Sequence, residues 1–354
     1  MATVYMNGFE WRSFYENILS WDGLNTGIVS ASTTTGRGHT TQPRSGNYCL
    51  CIWGSDSFVR WQTTPLNEFY IQIAVKINSS YAESNLLRWT SPTPNILGCL
   101  TFNPTNQTMS VWTGDMSTRL GTSSTQLLYG KWYLIEIYVK LATSGGTIEL
   151  RIDGQTQFTF TGATTPNDTT AALFYLVGNV KSSGSIYADG THFWADDVVI
   201  NDTTGDFNNS WPNGSQIVLL MPNGKGDITE WSRITGLDNY YDVAQLPVLD
   251  PSMYNYTEHT AMRDLYLLQD LPDDAYAVGA VRVDAWALKN SGSDIMLKLA
   301  LLTAGLTFYS SDMELGISYN LSQWLHQLNP GTCAAWTVDD VKYLQGGINS
   351  NVPE

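Results

Sequence analysis

Carboxylates, histidines and aromatic rings are the side chains of this sequence that could do chemistry. Cleaving a glycosidic bond takes two carboxyls flanking it, about 5 Å apart for retention and roughly 6.5–9.5 Å for inversion. The nearest such pair on one predicted strand is Glu149 and Asp153, with Arg151 between them on the same face. That spacing reads as a solvated outer face, and no catalytic residue is assigned. The densest acidic group is Asp196, Asp197, Asp202 and Asp206. Hard oxygen ligands of this kind suit calcium. These four are the candidate metal residues, with structural calcium as the candidate ion and no other cofactor expected. Two features weigh against them. Neighbours such as Asp196 and Asp197 point to opposite faces of a continuous strand, and the group lacks the D-x-D-x-D spacing of a calcium loop. His39, His192, His259 and His326 stand singly. There is no H-E-x-x-H, no G-x-S-x-G elbow and no phosphate loop.

Aromatic rings are the abundant resource, with 13 Trp and 19 Tyr. Trp53, Trp61, Trp89 and Trp112 lie on or beside predicted strands and are the candidate carbohydrate-stacking residues. The competing reading is that large rings fill a β-sandwich core. Tyr240, Tyr241, Tyr254 and Tyr256 lie in loops and are the candidate interface residues, since interfaces favour Tyr.

The elements that must carry these residues read as strands. Lys131–Gly162 predicts a three-stranded meander. Tyr133, Ile135, Ile137 and Val139 alternate with polar neighbours, as do Ile148, Leu150 and Ile152, and Asp153-Gly154 supplies a tight turn. Further strands are predicted at 48–53, 58–62, 69–77, 85–89, 98–102, 109–112, 172–178 and 191–200. Many short strands between turn signals predict a sandwich or jelly roll. A polar joint over 202–213 places a domain boundary at 205/206, giving a β domain over 1–205 and a smaller, mainly-β domain over 206–354. In the second domain, strands are predicted at 216–221, 277–288 and 294–302, the last two joined by the Asn290–Ser293 turn. Trp324–Leu328 reads as helix or strand. Thr337 and Asp340 predict a capped C-terminal helix that Gly346-Gly347 ends.

Net charge −15 and the absence of any basic run argue against nucleic-acid binding. No apolar stretch approaches the length of a membrane span, so membrane insertion is not expected. Charged residues are only 14%, which leaves the surface to Ser, Thr, Asn, Gln and Gly and suits a chain packed against copies or neighbours, or one that sits outside a cell. The opening MATVYMNGFEWRSFYENILSW lacks the pattern of a signal peptide. Cys49, Cys51, Cys99 and Cys333 are expected to be reduced and buried.

The ordered motifs MNGFEW, SGNYCLCIWG, KWYLIEIYVKL with GTIELRIDGQTQFTFTG, and FWADDVVINDTTG resemble the concanavalin A-like, laminin-G-like jelly roll of tailed-bacteriophage virion proteins. Asn239–Asp242, Asp264–Tyr266 and the closing NPGTCAAWTVDD resemble the region that follows it there. The resemblance implies a non-enzymatic virion structural protein of the tail or tail fibre, made in the host bacterial cytoplasm. It would assemble with copies of itself and with other virion proteins, and a lectin-like surface would meet host glycans. The alternatives are a capsid-surface decoration protein, and a carbohydrate-binding module or glycosidase.

Overall fold

The computed structural model describes residues 3–10, 18–21, 26–29, 42–52, 58–93, 95–178, 191–244, 252–290 and 294–351. The chain is all-β and divides into two compact units, Met1–Val218 and Leu219–Glu354. The division therefore falls later than the 205/206 joint read from composition. Residues 211–217 belong to the first unit because their backbone amides are bound by its side chains.

The first unit is a jelly-roll-like sandwich. Its strands are β1 (Thr3–Asn7), β2 (Ile18–Trp21), β3 (Thr26–Val29), β4 (Cys49–Ile52) and β5 (Phe58–Leu66). Then come β6 (Glu68–Ser80), β7 (Ser84–Thr90), β8 (Ile96–Asn103), β9 (Thr108–Thr113) and β10 (Thr118–Thr122). β11 (Trp132–Lys140), β12 (Gly146–Ile152), β13 (Gln155–Gly162), β14 (Ala171–Val177) and β15 (Thr191–Asp202) complete it. One sheet runs β13-β12-β11-β6-β15-β4-β3, with β1 also paired to β15; the other runs β10-β9-β8-β7-β14-β5-β2. All recorded pairings in these sheets are antiparallel.

Alternation explains the core. β6 sends Phe69, Ile71, Ile73, Val75 and Ile77 inward, and β11 sends Tyr133, Ile135, Ile137 and Val139 against them. From the facing sheet come Val59, Trp61, Leu87, Trp89, Leu100, Val111, Phe174 and Leu176. Asp153 and Gly154 both have positive φ, 49° and 74°, as a primed hairpin turn requires. The meander over 131–162 thus forms as its alternation predicts.

In the second unit the strands are β16 (Pro222–Thr229), β17 (Ser232–Arg233), β18 (Asn255–Tyr256), β19 (Arg263–Leu268), β20 (Val281–Ala287) and β21 (Met296–Thr303). β22 (Leu306–Tyr309), β23 (Asn320–His326), β24 (Leu328–Asn329), β25 (Ala334–Ala335) and β26 (Gln345–Asn351) follow, with short helices α1 (Asn239–Val243) and α2 (Val338–Lys342). Its main sheet is β16-β19-β26-β21-β22. β20 and β21 are not a hairpin: β20 pairs with β23, and β21 pairs with β22 and β26. No strand forms over 216–221. Thr337 caps α2 with Asp340 in a reciprocal box. Gly346 and Gly347 lie inside β26 rather than ending α2, and a Cβ on Gly347 would stand 2.0 Å from the Asp264 carbonyl oxygen of β19. A glycine is required there by the close approach of two strands.

Candidate functional site

The four acidic candidates do not form a metal centre. A bulge in β15, where Asp197 takes φ 50°, breaks the alternation, so Asp196 and Asp197 both meet the segment 44–45 that covers the outer face of the sheet. They are fully buried. One Asp196 oxygen accepts from the backbone N–H groups of Arg44 and Ser45 at 2.9 and 3.2 Å. Asp197 accepts from the Arg44 guanidinium, the Ser45 hydroxyl and the Ile217 N–H. A guanidinium already stands where a cation would. Burial and the neighbouring Asp197 push the Asp196 carboxyl well above the usual range, which makes a proton its partner. Asp202 binds the N–H and hydroxyl of Thr204, and Asp206 is exposed. Among the described residues no group of three or more His, Cys, Asp or Glu is placed to hold a metal ion. These residues do not fit calcium.

The same network absorbs the sequence motifs. Both oxygens of Glu10 accept from the Asn47 N–H at 3.0 and 2.9 Å, and Oε1 also accepts from the Tyr48 N–H. Glu136 accepts from the Asn213 N–H, Gln72 accepts from the Gly214 N–H, and Gln72 donates to the carbonyls of Asp197 and Ser215. Trp211 packs on Tyr70 at 5.0 Å and lies under the Arg151 guanidinium at 3.8 Å. Residues 42–48 and 211–217 are thereby fixed across the outer face of the eight-stranded sheet. The carboxylates there are structural.

The aromatic candidates divide. Trp61 and Trp89 are 1% and 0% exposed. Trp61 stacks between Tyr5 and Phe174, and neither indole has a free face for a sugar. They are core. Trp53 lies outside the described residues. Trp112 is half-buried on the outer face of the seven-stranded sheet, and the Arg119 guanidinium covers its ring at 4.4 Å. In the second unit Tyr241, Tyr254 and Tyr256 are exposed, with Tyr254 and Tyr256 edge to face at 6.1 Å, while Tyr240 is half-buried. Beneath them Asp264 accepts from Asn239, Asn255 and Tyr266. Of the cysteines, Cys333 is exposed and the other three are buried.

Trp112 belongs to an arrangement that sequence reading missed. Cross-strand register places Arg60 (β5) opposite Tyr175 (β14) and Tyr175 opposite Arg88 (β7). Arg88 is then opposite Cys99 (β8), Cys99 opposite Trp112 (β9), and Trp112 opposite Arg119 (β10). Directly paired residues share a face, so these six form one row perpendicular to the strands. Their chain neighbours Val59, Trp61, Phe174, Leu176, Leu87, Trp89, Leu100 and Val111 are core, which puts the row on the outer face. Five strand spacings separate Arg60 from Arg119, roughly 24 Å.

Rings organise the cations along the row. Arg60 lies over Tyr175 at 5.8 Å and Arg119 over Trp112. The Trp112 indole N–H donates to Thr101 Oγ1 at 3.0 Å, which fixes the ring. Arg88 meets Asp115 at 3.2 Å and Arg119 meets Glu83 at 3.5 Å. Burial pushes the Cys99 thiol up to about 12, so it is inert. An adjacent polar row, Asn85–Thr101–Ser110–Thr122, is in register on the same sheet. The row was invisible in sequence because its other members lie 28 to 115 positions from Arg60, and only strand order brings them together.

No protein-family model and no curated protein matches the sequence. Among solved structures the chain is similar to an endo-β-1,4-glucuronan lyase from the fungus Trichoderma reesei, at 12% identity and TM-score 0.39 over 56% of this chain and 95% of that one. It is similar to the cellulose-induced protein Cip1, at 12% identity and TM-score 0.39 over 60% and 100%. It is also similar to a Trypanosoma rangeli sialidase, at 16% identity and TM-score 0.34 over 49% of this chain and 30% of that one. At these values no residue's role carries over to this chain. The expectation of a non-enzymatic virion structural protein finds no support among them: the solved structures named here include a lyase and a sialidase and no virion component. Neither that role nor the exclusion of enzymatic activity is retained.

Proposed function

We propose that the first unit binds an acidic polysaccharide along the Arg60–Arg119 row. The supporting observation is the register itself: three guanidiniums on one outer face, two of them seated on aromatic rings. Guanidinium groups donate paired hydrogen bonds to carboxylates in a fixed plane. The row stands out in a chain of net charge −15. Its two carboxylates, Glu83 and Asp115, leave it one positive charge in excess. Covered ring faces make this a surface for anions more than a stacking platform for neutral sugars.

Affinity electrophoresis against a polyuronate and a neutral glucan tests the reading. The polyuronate is expected to retard the protein, with Arg60→Ala, Arg88→Ala and Arg119→Ala each weakening the effect and neutral glucan giving none. Equal retardation by both polymers would overturn it.

A second reading rests on Tyr175, flanked in register by Arg60 and Arg88. Two guanidiniums beside a uronate carboxylate would stabilise the carbanion formed when the adjacent ring proton is removed. Tyr175, acting as phenolate, is the group placed to take that proton and, as the phenol so formed, to pass it to the departing sugar oxygen. The C–O bond at the β position breaks and a C=C bond forms, leaving a free hydroxyl on one fragment and an unsaturated uronate on the other, whose ultraviolet absorbance reports the cleavage. Its appearance with the native protein and its loss in Tyr175→Phe would support this reading.

A further inference from the structure

The three guanidiniums of the row differ in their partners. Arg60 lies over Tyr175, and its buried Nε finds no acceptor among the described residues. Arg88 and Arg119 each face a carboxylate from a turn: Asp115 between β9 and β10, and Glu83 between β6 and β7. We propose that Glu83 and Asp115 set the charge density a glycan must carry to occupy the row, because their carboxylates stand where those of a ligand would stand. The proposal rests on the reading of the row as an acidic-glycan site.

Each acid can do without its arginine. Glu83 accepts from the Thr101 hydroxyl at 2.9 Å and has Asn103 Nδ2 at 3.4 Å. Asp115 falls back on solvent, because the Asn85 amide oxygen faces the Arg88 guanidinium. Displacement from the arginines therefore does not strand a carboxylate. The side chain of Asp115 is 46% exposed and that of Arg119 47%. Pairs this open are worth at most about a factor of five in an equilibrium constant. A ligand carboxylate replaces such a partner like for like, whereas a sugar hydroxyl forms only a weaker, uncharged bond. Neutral or sparsely acidic chains leave the acids in place and meet Arg88 and Arg119 already paired.

Spacing sharpens the class of ligand. Arg60 and Arg88 are two strand steps apart, about 10 Å, and Arg88 and Arg119 are three, about 14 Å. An extended sugar unit is close to one strand step in length. Steps of two and three units are both met only when nearly every sugar carries an acid. The structure thus points to a homopolymer of uronic acid over a chain with occasional acidic units.

Calorimetric titration with a uronate oligosaccharide and its partly methyl-esterified counterpart tests this. The native protein is expected to bind the fully acidic form and discriminate against the ester. Asp115→Asn and Glu83→Gln should each tighten binding of the acidic form by up to about fivefold. Each should also narrow the discrimination, at unchanged thermal midpoint. Weaker binding or unaltered discrimination in both variants would mean that the acids only position the arginines, and would overturn the proposal. Failure of native protein and variants alike to bind the fully acidic form would instead remove the reading of the row on which the proposal rests.

Discussion

Glu10 shows how much one buried residue governs. It is 4% exposed and holds the backbone of Asn47 and Tyr48. Burial raises its carboxyl from 4.5 to about 7, against the lowering pull of those two amides. An acid whose folded value is raised binds its proton more tightly when folded. Its contribution to stability is full below the ordinary value and is lost as pH rises from 4.5 to about 7. Burial also raises Glu136 and Asp196, which adds in the same direction. Thermal unfolding of the native protein should therefore give a higher midpoint near pH 5 than near pH 8. Glu10→Gln should flatten the slope, removing about 3 kcal/mol of pH-dependent stability. An unchanged slope in the variant would show that Glu10 does not titrate in this range.

At the scale of elements, the seven-stranded sheet must hold its strands in register for the row to exist. Gly98 of β8 pairs with Trp89 of β7, and a Cβ there would stand 2.4 Å from the Trp89 ring. Gly98→Ala should force that ring from its place and destabilise the unit by about 1–3 kcal/mol in denaturant unfolding. A neutral result would mean that the ring does not rest on Gly98. Strand alternation made β11, β12 and β13 legible in sequence, because one greasy face and an Asp-Gly turn leave one register. The capping box of α2 was legible for the same local reason. What is set by long-range pairing was not legible. A turn at 290–293 reads as a hairpin, yet the apolar faces of β20 and β23 pack together over β21 instead. Period-two reasoning put Asp196 and Asp197 on opposite faces, and one bulge undid it. Abundant Trp read equally as core or as sugar platform, and burial decides for Trp61 and Trp89.

On the scale of the whole molecule, a protein of net charge −15 repels a polyanion from afar while its row attracts one nearby. The screening length is about 30 Å at 0.01 M salt and about 8 Å at 0.15 M. At low salt the ligand feels the whole acidic surface, and near physiological salt it feels mainly the row. Affinity for a polyuronate should accordingly rise from 0.01 M to about 0.1 M salt and fall beyond it. A steady fall from the lowest salt would show that the net charge does not reach the site. The most direct test of the central claim is a crystal structure of the protein with a bound uronate oligosaccharide. The sugar chain should lie across the strands of the seven-stranded sheet with its carboxylates on Arg60, Arg88 and Arg119. A chain seated elsewhere, whether over the tyrosines of the second unit or on the outer face of the eight-stranded sheet, would contradict it.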